Sequence, residues 1–453
     1  MKVLLVHPEE ARHKYNFKGI IENECLDMEY LSAVLKNEGH AVFFWDGKIE
    51  EKPLSIYINE VDPDAVYIAG RSFQEEFMLE YAKLAKDRDE KTIVILSGLH
   101  AQLCADRLKK PYVDHILKSF DVFKVPLLLN DHGKYEKLKD LKDICYRKDE
   151  EWFENPSEPF DINRLPRPDR SYFFSHPGNY NYLDLPHAAW VRTAYSCPYH
   201  CEFCLRNHMN SGTYSRRDMA DVVKEIEELP EENIYIVDDD FLFDEERLFT
   251  FIRLIKEKGI KKKYICYGRS DFIASHEEIV RELAEIGFYY FLVGLETIRD
   301  RDMEKYRKKN SLSNNEKSIE FCHRYGVHIM AMFILDLDFT KKDFNDLYLY
   351  IKDHKIKHVA VSIYTPEPGL ENYEDYTDRM ITDDMGHYDY LHLVCRPDKM
   401  SVNAFYRSYY KLLIRLFIRA YRDKVYDFID YNDYIRSFIK GFLGKRQKNH
   451  AEK

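Results

Sequence analysis

No apolar run in the sequence approaches the ~18 residues that a membrane-spanning helix needs. Integral membrane proteins of the helical kind are thereby excluded. The start, Met1-Lys2-Val3-Leu4-Leu5-Val6-His7-Pro8, has one basic residue and an apolar core too short for a signal h-region. The expectation is a cytoplasmic chain. An excess of basic residues is missing too, since 68 Lys and Arg face 79 Asp and Glu for a net charge of −11. Phosphate backbones recruit positive surfaces, so nucleic acid is not an expected substrate. The composition of a disordered chain is likewise absent: 45% hydrophobic and 32% charged residues suffice for packed cores and solubility. Paired cysteines are not in evidence either. The nine cysteines are an odd number, six of them scattered (25, 104, 145, 266, 322, 395), and only the three crowded into 197–204 ask for a chemical explanation.

What is present alternates. Runs at 2–6, 41–45, 65–69 and 93–97 are short, β-branched and aromatic, and helical stretches such as 28–37 and 75–86 separate them. This pattern predicts an α/β, doubly wound parallel sheet, of the Rossmann or flavodoxin kind, over residues 1–135. Its ligand-facing loops open at His7-Pro8, Gly70-Arg71-Ser72 and Gly98-Leu99-His100. A charged segment with Pro156, Pro159, Pro166, Pro168, Pro177 and Pro186 reads as a linker over 136–186. Strands are then predicted near 188–194, 234–237, 264–268, 289–293, 328–335 and 358–364, a partial (β/α)6 barrel within 187–388. Residues 389–453 form a C-terminal helical region in which Arg407, Lys411, Arg415 and Arg419 make a basic stripe. That stripe has two readings, peripheral contact with an acidic membrane surface or a polar face over a helix packed on the barrel.

Cys197-Pro-Tyr-His-Cys201-Glu-Phe-Cys204 follows the first barrel strand. Three thiolates on one short loop can bind three irons of a cubane and leave the fourth open, as catalytic metal sites do. A zinc knuckle completed by His200 or His208 is the alternative on spacing alone.

The CxxxCxxC spacing, with Phe203 before the last cysteine and a strand in front, resembles the signature of the radical S-adenosylmethionine (radical SAM) superfamily. Residues 160–205 resemble its branch with an N-terminal cobalamin (B12)-binding-like domain. The resemblance implies a [4Fe-4S] cluster on Cys197, Cys201 and Cys204, with SAM on the open iron, cleaved reductively to a 5′-deoxyadenosyl radical. It further implies a reducing protein such as flavodoxin or ferredoxin, and a small-molecule or lipid-like substrate. Ile236 to Phe241, Tyr267 to Asp271 and Gly294 to Thr297 resemble that family's SAM-contacting strand ends. Asp238 or Asp239 is then expected to accept from the SAM amine, Arg269 to pair with its carboxylate, and Glu296 to hold ribose hydroxyls, with Phe203 and Ser270 beside them. The competing reading is a capped turn for the aspartates and structural ion pairs for Arg269 and Glu296. Tyr364 to Gly369 resembles the sixth-strand turn of the branch and carries no catalytic assignment.

Ser97-Gly98-Leu99-His100-Ala101 resembles the GGxHA turn of cobalamin domains, which makes Gly98 and His100 pocket residues there, without cobalt ligation by His100. Two departures stand out: the DxHxxG loop is absent, and Lys118-Ser119-Phe120-Asp121 replaces an acidic turn. The leading expectation is a methyltransferase that uses cobalamin to methylate or remodel an unactivated carbon. One alternative keeps the radical chemistry with an empty N-terminal domain, giving dehydration, cyclisation or hydrogen abstraction. Another is a non-catalytic, zinc-stabilised binding protein.

Overall fold

The computed structural model describes residues 1–10 and 21–428. Its first sheet contains β1 (Lys2–His7), β2 (Ala41–Asp46), β3 (Ala65–Ala69), β4 (Ile93–Ser97), β5 (His115–Leu117), β6 (Ile144–Lys148) and β7 (Glu151–Glu154), in the order β2-β1-β3-β4-β5-β6-β7. The first five are parallel and covered on both faces, which explains why β1 and β4 are continuous apolar runs rather than alternating ones. All four sequence-predicted strands are there.

The reading of 136–186 as linker needs correction, because β6 and β7 form an antiparallel hairpin that extends the sheet to Glu154. Its two-residue turn, Asp149-Glu150, has φ of +49° and +74°. Glycine or asparagine normally marks such a turn, and neither is present here to signal it. The remainder of the segment is an anchored strap, with Phe160, Ile162, Phe173, Tyr180 and Leu185 buried. Within it the buried guanidinium of Arg170 donates to Glu24 from the first domain, to Glu225 of the barrel at 2.9 Å and to the Trp190 carbonyl at 2.6 Å.

The second sheet holds β8 (Ala189–Val191), β11 (Asn233–Ile236), β12 (Lys263–Arg269), β13 (Phe288–Glu296), β14 (His328–Leu335) and β15 (His358–Ile363), six parallel strands in sequence order. β9 (Ala194–Tyr195) and β10 (Ser215–Arg216) pair separately as a small antiparallel ribbon. Alternation sorts the side chains. Ile234, Ile236, Phe291, Val293, Ile329 and Ala331 meet the surrounding helices, whereas Tyr235, Ile265, Tyr290, Leu292 and Met330 cluster on the other face. Helices such as Met219–Glu228 and Glu245–Lys258 start where Asp218 and Asp244 accept backbone N–H groups.

In the C-terminal region, 389–401 is irregular, the helix Val402–Arg422 lies on Lys341–Asp353, and 429–453 lie outside the described residues. Arg415 stacks on the Tyr348 ring at 3.5 Å and Arg419 donates to the Ile351 carbonyl at 3.0 Å. Half of the basic stripe therefore faces the barrel. No helix among the described residues is long and apolar enough to cross a membrane.

Candidate active site at the barrel mouth

After β9 the chain turns at Ser196, a buried residue held at φ +69°. Left-handed backbone costs a non-glycine residue about 1 to 2 kcal/mol, and here it launches the cysteine loop over the carboxyl ends of the strands. The loop is pinned by Cys204 N–H to the Cys201 carbonyl and by Glu202 N–H to the Tyr306 carbonyl, both at 3.1 Å. All three thiols are partly buried and free. Burial pushes Cys197 up to about 12 and Cys204 to about 11, and it raises Cys201 as well although Lys308 and Arg269 pull the other way. Thiols kept protonated are inert until a metal displaces the proton. They are not gathered for a single ion: among the described residues, the set of three His, Cys, Asp or Glu donors within 4.8 Å of one another is His7, Cys25 and Asp46, elsewhere in the molecule. Ligands to three separate irons suit such a spread. His200, the candidate fourth zinc ligand, has its Nδ1 on the Asn207 amide at 3.1 Å.

Three aspartates follow β11, and their roles differ. Asp238 accepts the Thr193 and Ala194 N–H groups at 2.7 and 2.8 Å and the Thr193 hydroxyl, so it ties the strand end together. Asp239 pairs with Arg206 at 3.2 Å through one oxygen. Asp240 is buried, with no side-chain donor on either oxygen. Burial drives its carboxyl well above the usual range, against the pull of Arg269 and Lys308. The second Asp239 oxygen and the Asn207 amide oxygen lack partners. Each unmatched buried acceptor costs about 1 to 3 kcal/mol, a cost that a donor-rich ligand would relieve.

Arg269, at the end of β12, donates to both Asp271 oxygens at 2.9 Å and to the Lys308 carbonyl at 2.5 Å. It lies 3.9 Å from the centre of the Tyr199 ring and 3.7 Å from the Cys201 sulfur. Ser270 bonds to Asn315 and Asn310, both at 2.6 Å, and so serves the neighbouring helices. Glu296 sits at φ +60° on a register bulge of β13 and receives the buried Lys308 ammonium at 2.7 Å. Gly294 allows this, because a Cβ there would lie 2.1 Å from a Glu296 oxygen. Phe203 meets Tyr306 edge-on at 5.4 Å. The internal ion pairs weighed for Arg269 and Glu296 thus exist, beside the cluster loop. Sequence reasoning missed Lys308, which sits in a charged loop with no motif, and it named Asp239, which keeps one open oxygen, and Asp238, which does not, but not Asp240.

The N-terminal sheet turns its strand ends toward the same loop. Tyr195, two residues before Cys197, bonds to Gln102 at 3.1 Å and stacks on Phe120 at 4.6 Å. Phe120 belongs to the stretch that departs from the family's acidic turn, and the departure supplies an aromatic contact. Glu367, buried in the turn after β15, accepts from Ser72 at 3.0 Å and from Tyr390 at 2.8 Å. Gly98 has φ +92°, and a Cβ on it would lie 2.5 Å from the Gly70 backbone. His100 is wholly buried with its Nε2 on Glu75 at 2.6 Å. Its ring is a structural member of the turn.

Residues 191–351 match the model of the Radical SAM superfamily. The chain carries a radical SAM domain. Its cofactors are a [4Fe-4S] cluster and SAM, and it is a radical SAM enzyme. Over 417 residues the chain is 23% identical to the hopanoid C-3 methylase of Methylococcus capsulatus, covering 90% of this chain and 78% of that protein. It is 26% identical over 238 residues to a bacteriochlorophyllide d C-8(2)-methyltransferase of Chlorobaculum tepidum, covering 49% of this chain and 52% of that one. Among solved structures, the radical SAM methyltransferase TsrM of Kitasatospora setae, with cobalamin and a [4Fe-4S] cluster bound, superposes with a TM-score of 0.65 at 16% identity over 83% of this chain and 78% of its own. The cobalamin-dependent radical SAM enzyme OxsB superposes with a TM-score of 0.68 at 15% identity over 88% of this chain and 64% of its own. The fold is shared from the first sheet through the barrel.

Proposed function

We propose that the protein is a cobalamin-dependent radical SAM methylase acting on an unactivated carbon of a small natural-product or lipid-like substrate. The observation that carries the reading is the contact of the two strand-end faces, where Tyr195 of the cluster loop's own strand rests on Phe120 and Gln102 of the first domain. A cofactor held by one face and a cluster held by the other then share one space. Relatives named as methylases and neighbours solved with cobalamin support the same reading.

Bound and reduced, the cluster supplies the electron that cleaves SAM to a 5′-deoxyadenosyl radical; cobalamin supplies a carrier for the methyl group. The chain's own residues bind and orient. Asp240 and Asp239 accept from the SAM ammonium. Arg269 and Lys308 place positive charge beside Cys201 and the SAM carboxylate, and Glu296 takes ribose hydroxyls. Gly98 and His100 would line the cobalamin pocket, with His100 held in the turn through its Nε2 on Glu75. The electron comes from a flavodoxin- or ferredoxin-like protein. The test is anaerobic production with abundant cobalamin, then corrinoid absorption and transfer of label from methyl-labelled SAM. Corrinoid with labelled product is expected. Deoxyadenosine formation and substrate turnover in corrinoid-free protein would refute the methylase and favour dehydration, cyclisation or hydrogen abstraction.

A further inference from the structure

His7 ends β1 and Asp46 ends β2, and the parallel register sets them side by side. Cys25 stands just before the helix Leu26–Asn37 and comes down on the pair. His7 Nδ1 lies 3.0 Å from Asp46 Oδ1, Cys25 Sγ lies 3.1 Å from the same Nδ1, and the sulfur is 3.4 Å from Asp46 Oδ2. The Asp46 side chain is wholly buried and that of His7 is 18% exposed.

Hydrogen bonds account for two of the three contacts in this triangle and leave the third. Both contacts of His7 fall on one nitrogen, which carries at most one proton. With the Nδ1 proton given to Asp46 Oδ1 and the thiol proton to Asp46 Oδ2, the 3.1 Å nitrogen–sulfur contact has no proton of its own. A nucleophilic relay is excluded by the same geometry, since it needs one ring nitrogen for the thiol and the other for the carboxylate. A tetrahedral ion satisfies all three at once. Bonds of about 2.0 to 2.3 Å to nitrogen, oxygen and sulfur space such ligands roughly 3.3 to 3.6 Å apart, and one ligand atom from each of the three residues lies within 4.8 Å of the others, close enough for small side-chain shifts to close on an ion. Thiolate and carboxylate together neutralise a divalent cation, so the buried site gains no net charge. Asp46 is further oriented by the Tyr180 hydroxyl and the Lys48 N–H, both at 3.1 Å, and the Lys48 ammonium is turned to Glu10 at 3.7 Å.

We infer that His7, Cys25 and Asp46 form a zinc site at the strand ends of the N-terminal sheet, separate from the cluster, with water in the fourth position. On binding, the Cys25 thiol proton leaves to solvent and Nδ1, Sγ and a carboxylate oxygen become the ligands.

The test uses cluster-loaded enzyme, in which iron occupies the loop cysteines, with zinc and iron measured together. About one zinc per chain is expected. Cys25→Ser and His7→Gln should each lower it roughly tenfold or more while iron content and far-ultraviolet circular dichroism stay as in the parent. As a second measurement, Co2+ added to metal-stripped protein lacking the three cluster cysteines should give tetrahedral ligand-field bands and a thiolate-to-cobalt charge-transfer band, both lost when Cys25→Ser is added. Zinc at background in the parent without a cobalt–thiolate band, or zinc unchanged in Cys25→Ser, would overturn the inference.

Discussion

The strand-end faces of the two sheets meet across one interface and are furnished in opposite ways. At the barrel, Asp239 and Asn207 each hold an oxygen with no donor, and Asp240 is buried without a side-chain donor near the cations Arg269 and Lys308. At the N-terminal sheet most of the polar contacts are internal, with His100 Nε2 and Arg107 on Glu75, Ser72 on Glu367 and Gln102 on Tyr195, although His100 Nδ1 has no partner. The first face groups carboxylate acceptors with cations, and the second, outside the His7–Cys25–Asp46 triangle, spends most of its polar groups on itself and on its neighbour.

The hardest way to break this contrast is to remove the cluster ligands. Cys197→Ala, Cys201→Ala and Cys204→Ala together should abolish iron binding and bring deoxyadenosine formation to the detection limit, with the fold largely kept because the loop lies at the barrel mouth. Wild-type deoxyadenosine production would end the assignment. Next comes the acceptor cluster. Asp240→Asn should weaken SAM binding by about 1.5 to 3 kcal/mol, roughly tenfold to over a hundredfold, with iron unchanged, and Glu296→Ala and Arg269→Ala should act in the same direction. SAM titration by calorimetry decides, and parental affinity in all three variants would relocate the SAM site.

At the other face, stability should respond more than cofactor charge does. Gly98→Val places a Cβ against the Gly70 backbone at φ +92° and should cost roughly 2 to 4 kcal/mol, together with corrinoid binding. Denaturant melts and visible absorption report both. The smallest effect concerns Glu75. Burial would raise its pKa, but hydrogen bonds from His100 and Arg107 outweigh burial and hold it at about 2. A carboxyl depressed in the folded state adds stability above its unfolded pKa and loses it as pH falls toward the folded value. Glu75→Gln should therefore lower the melting temperature at neutral pH, and the gap from the parent should close between about pH 4.5 and 2.

Much of this contrast was legible in the sequence, because both sheets announce themselves by apolar runs at regular spacing and the cysteine spacing is local. What escaped was non-local. The β6–β7 hairpin turns through Asp149-Glu150, where no glycine signals the bend. Lys308 reaches Glu296 from a loop 12 residues away. Asp240 differs from its neighbours only in which way it faces after β11. Cys25 was set aside as a scattered cysteine, since the residues that give it meaning, His7 and Asp46, stand 18 and 21 positions off.

Arg170 sets the terms on which the two halves can part. Its guanidinium binds a carboxylate from each domain while seated in the strap between them, so parting the sheets would break a buried charge network that also holds Glu29 and Arg217. Removing one partner of such a network is costly, and Arg170→Met should lower the temperature at which both sheets melt, read by circular dichroism.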